Sequence, residues 1–159
     1  MKAFFPSAVL AILVFIDQLT KSLARTNLMN QGDFSIIDGI LSLSYHTNQG
    51  MAFGLFKGGR WFFLTFAVII LMIVIYYYRR LGEDKISKLV KACLIIICAG
   101  AIGNSIDRLL NGYVIDFFKT EFINFPIFNV ADIYVVVGTI SLALLYIFFS
   151  KELESDDNE

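Results

Sequence analysis

Two stretches of eighteen residues without a single charge, 61–78 and 133–150, decide what this chain can fold into. About 20 apolar residues cross the hydrocarbon of a bilayer, and a helix apolar all round must be buried in a large core or in lipid. A third run, 92–106, is uncharged for 15 residues and continues helically into Asp107 and Arg108. The supply of charge agrees. Only 17% of the 159 residues are charged and 57% are hydrophobic, whereas a soluble domain uses roughly a quarter of its residues as charges to cover its surface. The expectation is an all-α membrane protein, with lipid as its solvent. A net charge of −1 and the absence of any basic block exclude a field that recruits nucleic acid.

The N-terminal run 3–16 has the size of a signal-peptide core, and Ser22-Leu23-Ala24 resembles a small-residue cleavage site. Yet Asp17 and Lys21 stand at i and i+4 with the acid first, the favourable order for a helical ion pair. The run therefore reads as a retained first span. Four spans are expected, at about 4–24, 61–78, 91–108 and 130–150, in one integral membrane domain covering 1–159. The connection 79–91 carries Arg79, Arg80, Lys85, Lys88 and Lys91. By the positive-inside rule it is cytoplasmic, with both termini and an acidic tail, 151–159, on the same side.

Segments 25–60 and 109–128 then face outward. Within the first, 41–46 alternates apolar and polar at the strand period, and Asn48-Gln49-Gly50 supplies a turn. A small extracytoplasmic sheet lying on the membrane is expected, followed by a short interfacial helix over 51–56. Cys93 and Cys98, five apart in an uncharged run, point to different helix faces and read as small apolar residues rather than a bridge.

A charge at the bilayer centre costs about 2.5–3.5 kcal/mol on insertion scales, so a retained one has a partner or a job. Here such residues gather toward the outer ends of the spans: Asp17 and Lys21 on the first, Asn104, Asp107 and Arg108 on the third, Asn129 and Asp132 at the start of the fourth. Gly100, Asn104, Asp107 and Arg108 form one helical stripe. Ordinary readings exist for several. Asp17 and Lys21 can simply hold helices in register, Asp107-Arg108 can be an end-of-helix pair, and Asn129 can cap the fourth span with Asp132 in its first turn. Asp116 is harder to explain that way, since Val114, Ile115, Phe117 and Phe118 flank it.

No metal-ligand spacing, phosphate loop or nucleophile–base pair is present, so no metal or cofactor is expected. His46 reads as a lone strand histidine, and Ser105 has no G-x-S-x-G setting. What remains is carboxylates. Two acids sharing a site can hydrolyse a peptide bond, one ionised and activating water, the other protonated and polarising the carbonyl. Asp116 and Asp132 are the best pair, with the helix dipole favouring the charged form of Asp132 and leaving Asp116 to carry the proton. The rival is a small proton-coupled carrier with intramembrane Asp relay sites. A carrier would put its ionisable groups nearer the midplane and show repeated halves, and the sequence does neither.

These residues form blocks. Asp17-x-x-x-Lys21, Asn48-x-Gly50-x-x-Phe53, Gly103-Asn104-x-x-Asp107-Arg108, Val114-x-Asp116-Phe117 and Phe128-Asn129-x-Ala131-Asp132 resemble, in order, the sequence blocks of lipoprotein signal peptidase (signal peptidase II). The resemblance covers the whole chain. It implies an aspartic endopeptidase of the bacterial cytoplasmic membrane, working at the outer face. Its substrates would be diacylglyceryl-modified prolipoproteins, cut just before the lipidated cysteine, and the cyclic peptide globomycin would inhibit it. By match to the motifs, Asp116 and Asp132 would be the catalytic dyad. Asp17, Lys21, Asn48, Gly50, Asn104, Arg108 and Asn129 would line the site, and Gly100, Asp107, Val114, Phe128 and Ala131 would complete its wall. The outer sheet and 51–56 would clamp substrate over the acids.

Overall fold

A computed structural model describes residues 4–50 and 58–155. The expected interfacial helix at 51–56, and Phe53 with it, lie outside the described residues, as does the end of the acidic tail. Four long helices are present: α1 (Phe4–Leu28), α2 (Arg60–Arg80), α3 (Lys85–Asn111) and α4 (Val130–Ser155). Each is long and apolar enough to cross a membrane. They outrun the uncharged cores seen in the sequence, because helix propensity and backbone bonding do not stop where the apolar run does. The α1 helix continues straight through Asp17 and Lys21. The α4 helix runs past a kink at Phe149, where φ is −127° and ψ is 17°.

Local chemistry fixes the helix ends. Asp84 caps α3, its side chain accepting from the backbone N–H of Ile86 at 2.8 Å and of Ser87 at 3.0 Å. Gly112 ends the same helix in the left-handed region at φ 82°, a conformation that glycine adopts without strain. The α3 helix is central, packed against α1, α2 and α4. Glycines set how closely α3 and α4 approach. A Cβ on Gly138 would sit 2.7 Å from Ile97 and 3.1 Å from the Cys93 carbonyl, and one on Gly100 would strike the carbonyl of Ala131. Small residues at such crossings substitute for the hydrophobic drive that lipid removes.

Burial is inverted relative to a soluble protein. The largest fully buried side chains are Lys21, Asn129, Asp17, Asp116 and Ser42, whereas Phe15, Trp61, Ile147 and Phe148 are among the most exposed. The apolar residues face outward into lipid, and the polar ones face each other. Cys93 and Cys98 are free and buried among apolar neighbours.

The segments joining α1 to α2 and α3 to α4 form a three-stranded antiparallel sheet in the order β1 (Phe34–Ile37), β2 (Leu41–Asn48), β3 (Val114–Thr120). The expected strand 41–46 extends two residues further. The third strand falls in the connection between α3 and α4, where the sequence carries no alternation. Val114 to Phe117 are buried without a break, so both faces of β3 demand nonpolar or partnered residues and the period of two disappears. Asp116 owes its odd neighbours to this.

Candidate active site

Asp116 lies in β3 and Asp132 in the first turn of α4, and one residue joins them. The carboxamide of Asn129 donates from Nδ2 to Asp116 Oδ1 at 2.6 Å, while the Asn129 backbone N–H donates to Asp132 Oδ2 at 3.1 Å. Asn129 is fully buried and stands immediately before α4. Its Nδ2 also lies within reach of Ile115 O at 3.3 Å and Asn104 Oδ1 at 3.2 Å; two hydrogens cannot serve three acceptors at once, and the bond to Asp116 is the shortest. The two carboxyl groups thus hang on one fixed residue, Asp116 on its carboxamide and Asp132 on its backbone N–H.

Each carboxyl has a second donor. Asn48 Nδ2, at the end of β2, donates to Asp116 Oδ2 at 3.0 Å, and Asn104 Nδ2, on α3, donates to Asp132 Oδ1 at 2.8 Å. The turn expected at 48–50 holds Asn48 in place, and it is an Asx turn, with Gly50 N–H donating to Asn48 Oδ1 at 2.9 Å. Asp116 is buried and Asp132 only partly so. Burial, and then the charge of Asp132 beside it, push the Asp116 carboxyl up to about 7. Two acids in such unlike surroundings can divide the labour of acid and base.

Arg108 closes one side. Its guanidinium lies over the Phe63 ring at 4.6 Å and reaches toward the carbonyls of Gly50 and Asn104, each at 3.4 Å. Behind the carboxyls sits a second layer. Lys21 pairs with Asp17 at 3.0 Å and with Asp107 at 3.2 Å, and donates to Asn104 Oδ1 at 2.9 Å. The i, i+4 pair expected within the first span is present, and Asp107 joins it from α3.

The remaining expected positions shape the backbone around the acids. Gly100 and Ala131 form the close α3–α4 crossing. Val114 is buried and paired with Asn48 in the strand register. The Phe128 carbonyl accepts from the N–H groups of Phe117 at 3.0 Å and Phe118 at 2.8 Å, which ties the segment before α4 onto β3 beside Asp116. His46 is exposed and stands opposite Asp116 in the register. Two residues escaped the sequence reading. Gln18 bonds into the buried layer, and its only sequence signal was an amide beside Asp17 in an apolar helix. Phe63, under Arg108, looked like one more lipid-facing aromatic.

A cavity of about 1350 Å³ runs between α2, α3 and α4, from Asn104 and Arg108 at the acids to Ser87 and Arg80 at the far end. At 1.5 Å per residue, the stretch of α3 that lines it is roughly 30 Å long, the thickness of a bilayer core.

Comparison with known proteins agrees with the sequence blocks. The family model for signal peptidase (SPase) II matches residues 9–149. The lipoprotein signal peptidase of Clostridioides difficile is 35% identical over 91% of this chain and 95% of its own length. Those of Caldanaerobacter subterraneus and Shouchella clausii are 42% and 43% identical, over 88% and 90% of this chain and 94% and 92% of theirs. Two solved bacterial membrane enzyme structures share the fold. One has a TM-score of 0.82 at 30% identity, covering 93% of this chain and 90% of its own; the other has 0.78 at 31%, covering 88% and 90%.

Proposed function

The chain belongs to the signal peptidase II family, a multi-pass bacterial membrane protease that removes signal peptides, and on that premise we propose that it cleaves by water activated between Asp116 and Asp132. The observation that carries this reading is the attachment of both carboxyl groups to Asn129. Membership in a peptidase family also sets the carrier alternative aside.

In the proposed reaction Asp132 takes a proton from water while protonated Asp116 donates to the scissile carbonyl oxygen. The resulting tetrahedral diol collapses as a proton passes to the leaving amine, and the C–N bond breaks without a covalent enzyme intermediate. The partly exposed position of Asp132 suits the group that meets water, and the buried position of Asp116 suits the one that holds a proton. Asn48, Asn104 and Asn129 orient the acids, with Gly50, Arg108, Val114, Phe128 and Ala131 around them.

The substrate in this reading is a diacylglyceryl-modified prolipoprotein, cut just before the lipidated cysteine. A signal peptide carries an apolar core of 7–15 residues, and the cavity between α2, α3 and α4 is long enough for such a helix, with the end at Asn104 and Arg108 toward the outer side. The lipid chains can stay among membrane lipids. Globomycin would compete at the same acids. The basic connection between α2 and α3 supports cytoplasmic termini and an outer-face site.

Purified protein should cleave a lipidated prolipoprotein, and mass spectrometry should find the lipidated cysteine at the new N-terminus. Asp116→Asn and Asp132→Asn should each reduce turnover by at least a thousandfold. Activity of either variant within a few-fold of the parent would sink the mechanism. Single cysteines at 82 and at 123 should react with an impermeant maleimide from the inner and outer side respectively; the opposite labelling overturns the orientation.

A further inference from the structure

Asp116 and Asp132 sit on different elements, and their separation depends on how β3 and α4 are held against each other. The backbone of each is gripped one residue before its aspartate. The Ala131 N–H donates to Asp17 Oδ1 at 2.9 Å, and the Ile115 N–H donates to Asp107 Oδ2 at 3.0 Å. Lys21 bonds both gripping carboxylates, and the third of its three hydrogens goes to Asn104 Oδ1 at 2.9 Å. That bond fixes which way the Asn104 amide faces, so its Nδ2 is the atom presented to Asp132. Gln18 crosses the same gap, with Nε2 at 3.1 Å from Asp17 Oδ2, 3.2 Å from Asp107 Oδ1 and 3.1 Å from the Gly103 carbonyl.

Each of the four carboxylate oxygens of Asp17 and Asp107 has a donor within reach, Gln18 Nε2 being shared among Asp17, Asp107 and the Gly103 carbonyl, and Lys21 spends all its hydrogens. Asp17, Lys21 and Asp107 are 0%, 1% and 2% exposed. Charges buried this deeply need partners in any membrane protein, but that need does not dictate which backbone groups they take. Two carboxylates on different helices each hold the N–H directly preceding a dyad aspartate, and one ammonium couples them.

We infer that Asp17, Gln18, Lys21 and Asp107 form a positioning bracket that sets the spacing and orientation of the Asp116 and Asp132 carboxyl groups without touching the reacting atoms. The inference rests on the dyad reading above. It assigns Gln18, a residue outside the expected site, a part in catalysis through position alone. A misplacement of about 1 Å at a reacting group is worth as much as a hundredfold in rate, so the bracket acts on turnover and leaves the substrate groove alone.

The test compares turnover with stability, because a bond that only holds the fold together lowers the second without the first. Gln18→Leu exchanges one uncharged, partly exposed residue for another, so the protein folds. Asp107→Asn and Lys21→Met probe the charged members. Each is assayed on a lipidated prolipoprotein far below its own thermal midpoint, with rates normalised to folded protein. Gln18→Leu should lower kcat about tenfold and Asp107→Asn about a hundredfold, with KM within threefold of the parent. In the double variant Gln18→Leu/Asp107→Asn the losses should be clearly less than multiplicative, since both loosen the same link. A lowered midpoint with unchanged kcat in Gln18→Leu overturns the bracket, and it does so even if the charged variants fail to fold. Full kcat in the bracket variants beside inactive Asp116→Asn and Asp132→Asn defeats the bracket alone. Active Asp116→Asn or Asp132→Asn defeats the dyad reading and the bracket with it.

Discussion

Asn129 and Asp132 cap each other: the Asn129 carboxamide oxygen accepts from the Asp132 backbone N–H at 3.0 Å, and Asp132 Oδ2 accepts from the Asn129 backbone N–H at 3.1 Å. This is a capping box with an acid at the third helical position. The same two side chains therefore start α4 and form part of the candidate site, since the other end of the Asn129 carboxamide donates to Asp116 at 2.6 Å. Ordinary helix chemistry and the site are one arrangement of atoms.

The two roles of Asn129 can be separated. Asn129→Ser keeps an oxygen to cap α4 and loses the N–H that reaches Asp116, whereas Asn129→Ala loses both. A hydrogen bond to a neutral carboxyl is worth about 0.5–1.5 kcal/mol, so Asn129→Ser should lower kcat by roughly two- to tenfold with a thermal midpoint close to the parent's. Asn129→Ala should lose the same activity and, in addition, about 1 kcal/mol of stability through the missing cap. Equal midpoints in the two variants would show that the cap contributes nothing measurable.

Asp116 sets a pH dependence. Its carboxyl is pushed up to about 7, first by burial and then by the charge of Asp132. If the protonated form donates to the scissile carbonyl, kcat/KM must fall as pH rises through about 7. Stability runs the same way. The folded state holds a proton that the unfolded chain releases above an ordinary aspartate pKa near 4, so the folded protein binds more protons between about 4 and 7, and stability declines across that window. Asp116→Asn removes this penalty. Its thermal midpoint at pH 8 should exceed the parent's, while the two converge toward pH 4. A midpoint difference that does not change with pH would show that the Asp116 carboxyl titrates normally.

Much of this was legible in the sequence where partners lie close along the chain. Asp17 and Lys21 are four apart, and Asn129 and Asp132 three apart, so helical spacing alone paired them. Uncharged runs located the spans for the same reason. What stayed hidden depends on contacts across the fold. Gln18 meets the Gly103 carbonyl 85 positions away, and no local pattern marks such a partner. The β3 strand lost its alternation because both its faces are covered, and Asp107 looked like half of an end-of-helix pair with Arg108. In the fold the two point apart, Asp107 to Lys21 and Ile115, Arg108 to Phe63 and Gly50.

The far end of the sheet provides a control. Lys119 and Asp33 form an ion pair there with both side chains substantially exposed. Their hydrogen bond and mutual charge draw Asp33 below the usual carboxylate range and Lys119 above the usual lysine range. Exposed pairs contribute little once solvent and salt screen them. Lys119→Met should leave kcat unchanged and the midpoint within experimental error. A loss of turnover would mean that the sheet transmits strain to Asn48 and Asp116.

Two glycines toward the C-terminal end of α3 make opposite demands. Gly112 has φ of 82° with open space around it, the nearest atom to an added Cβ being Arg60 Nη1 at 3.8 Å. Gly103 is helical, but a Cβ there would collide with the Asp17 carboxylate and lie 3.4 Å from the Ala131 Cβ. Gly112→Ala therefore strains only its own backbone, at about 1–3 kcal/mol, and should lower the midpoint while kcat per folded molecule holds. Gly103→Ala overpacks the helix contact at a similar cost, about 1–3 kcal/mol, and also pushes Asp17 from Lys21 and from the Ala131 N–H. With stabilities matched to within a kcal/mol, turnover should separate the pair by tenfold or more, Gly103→Ala being the slower. Equal turnover would mean that Asp17 and Ala131 can yield at Gly103 without disturbing Asp132.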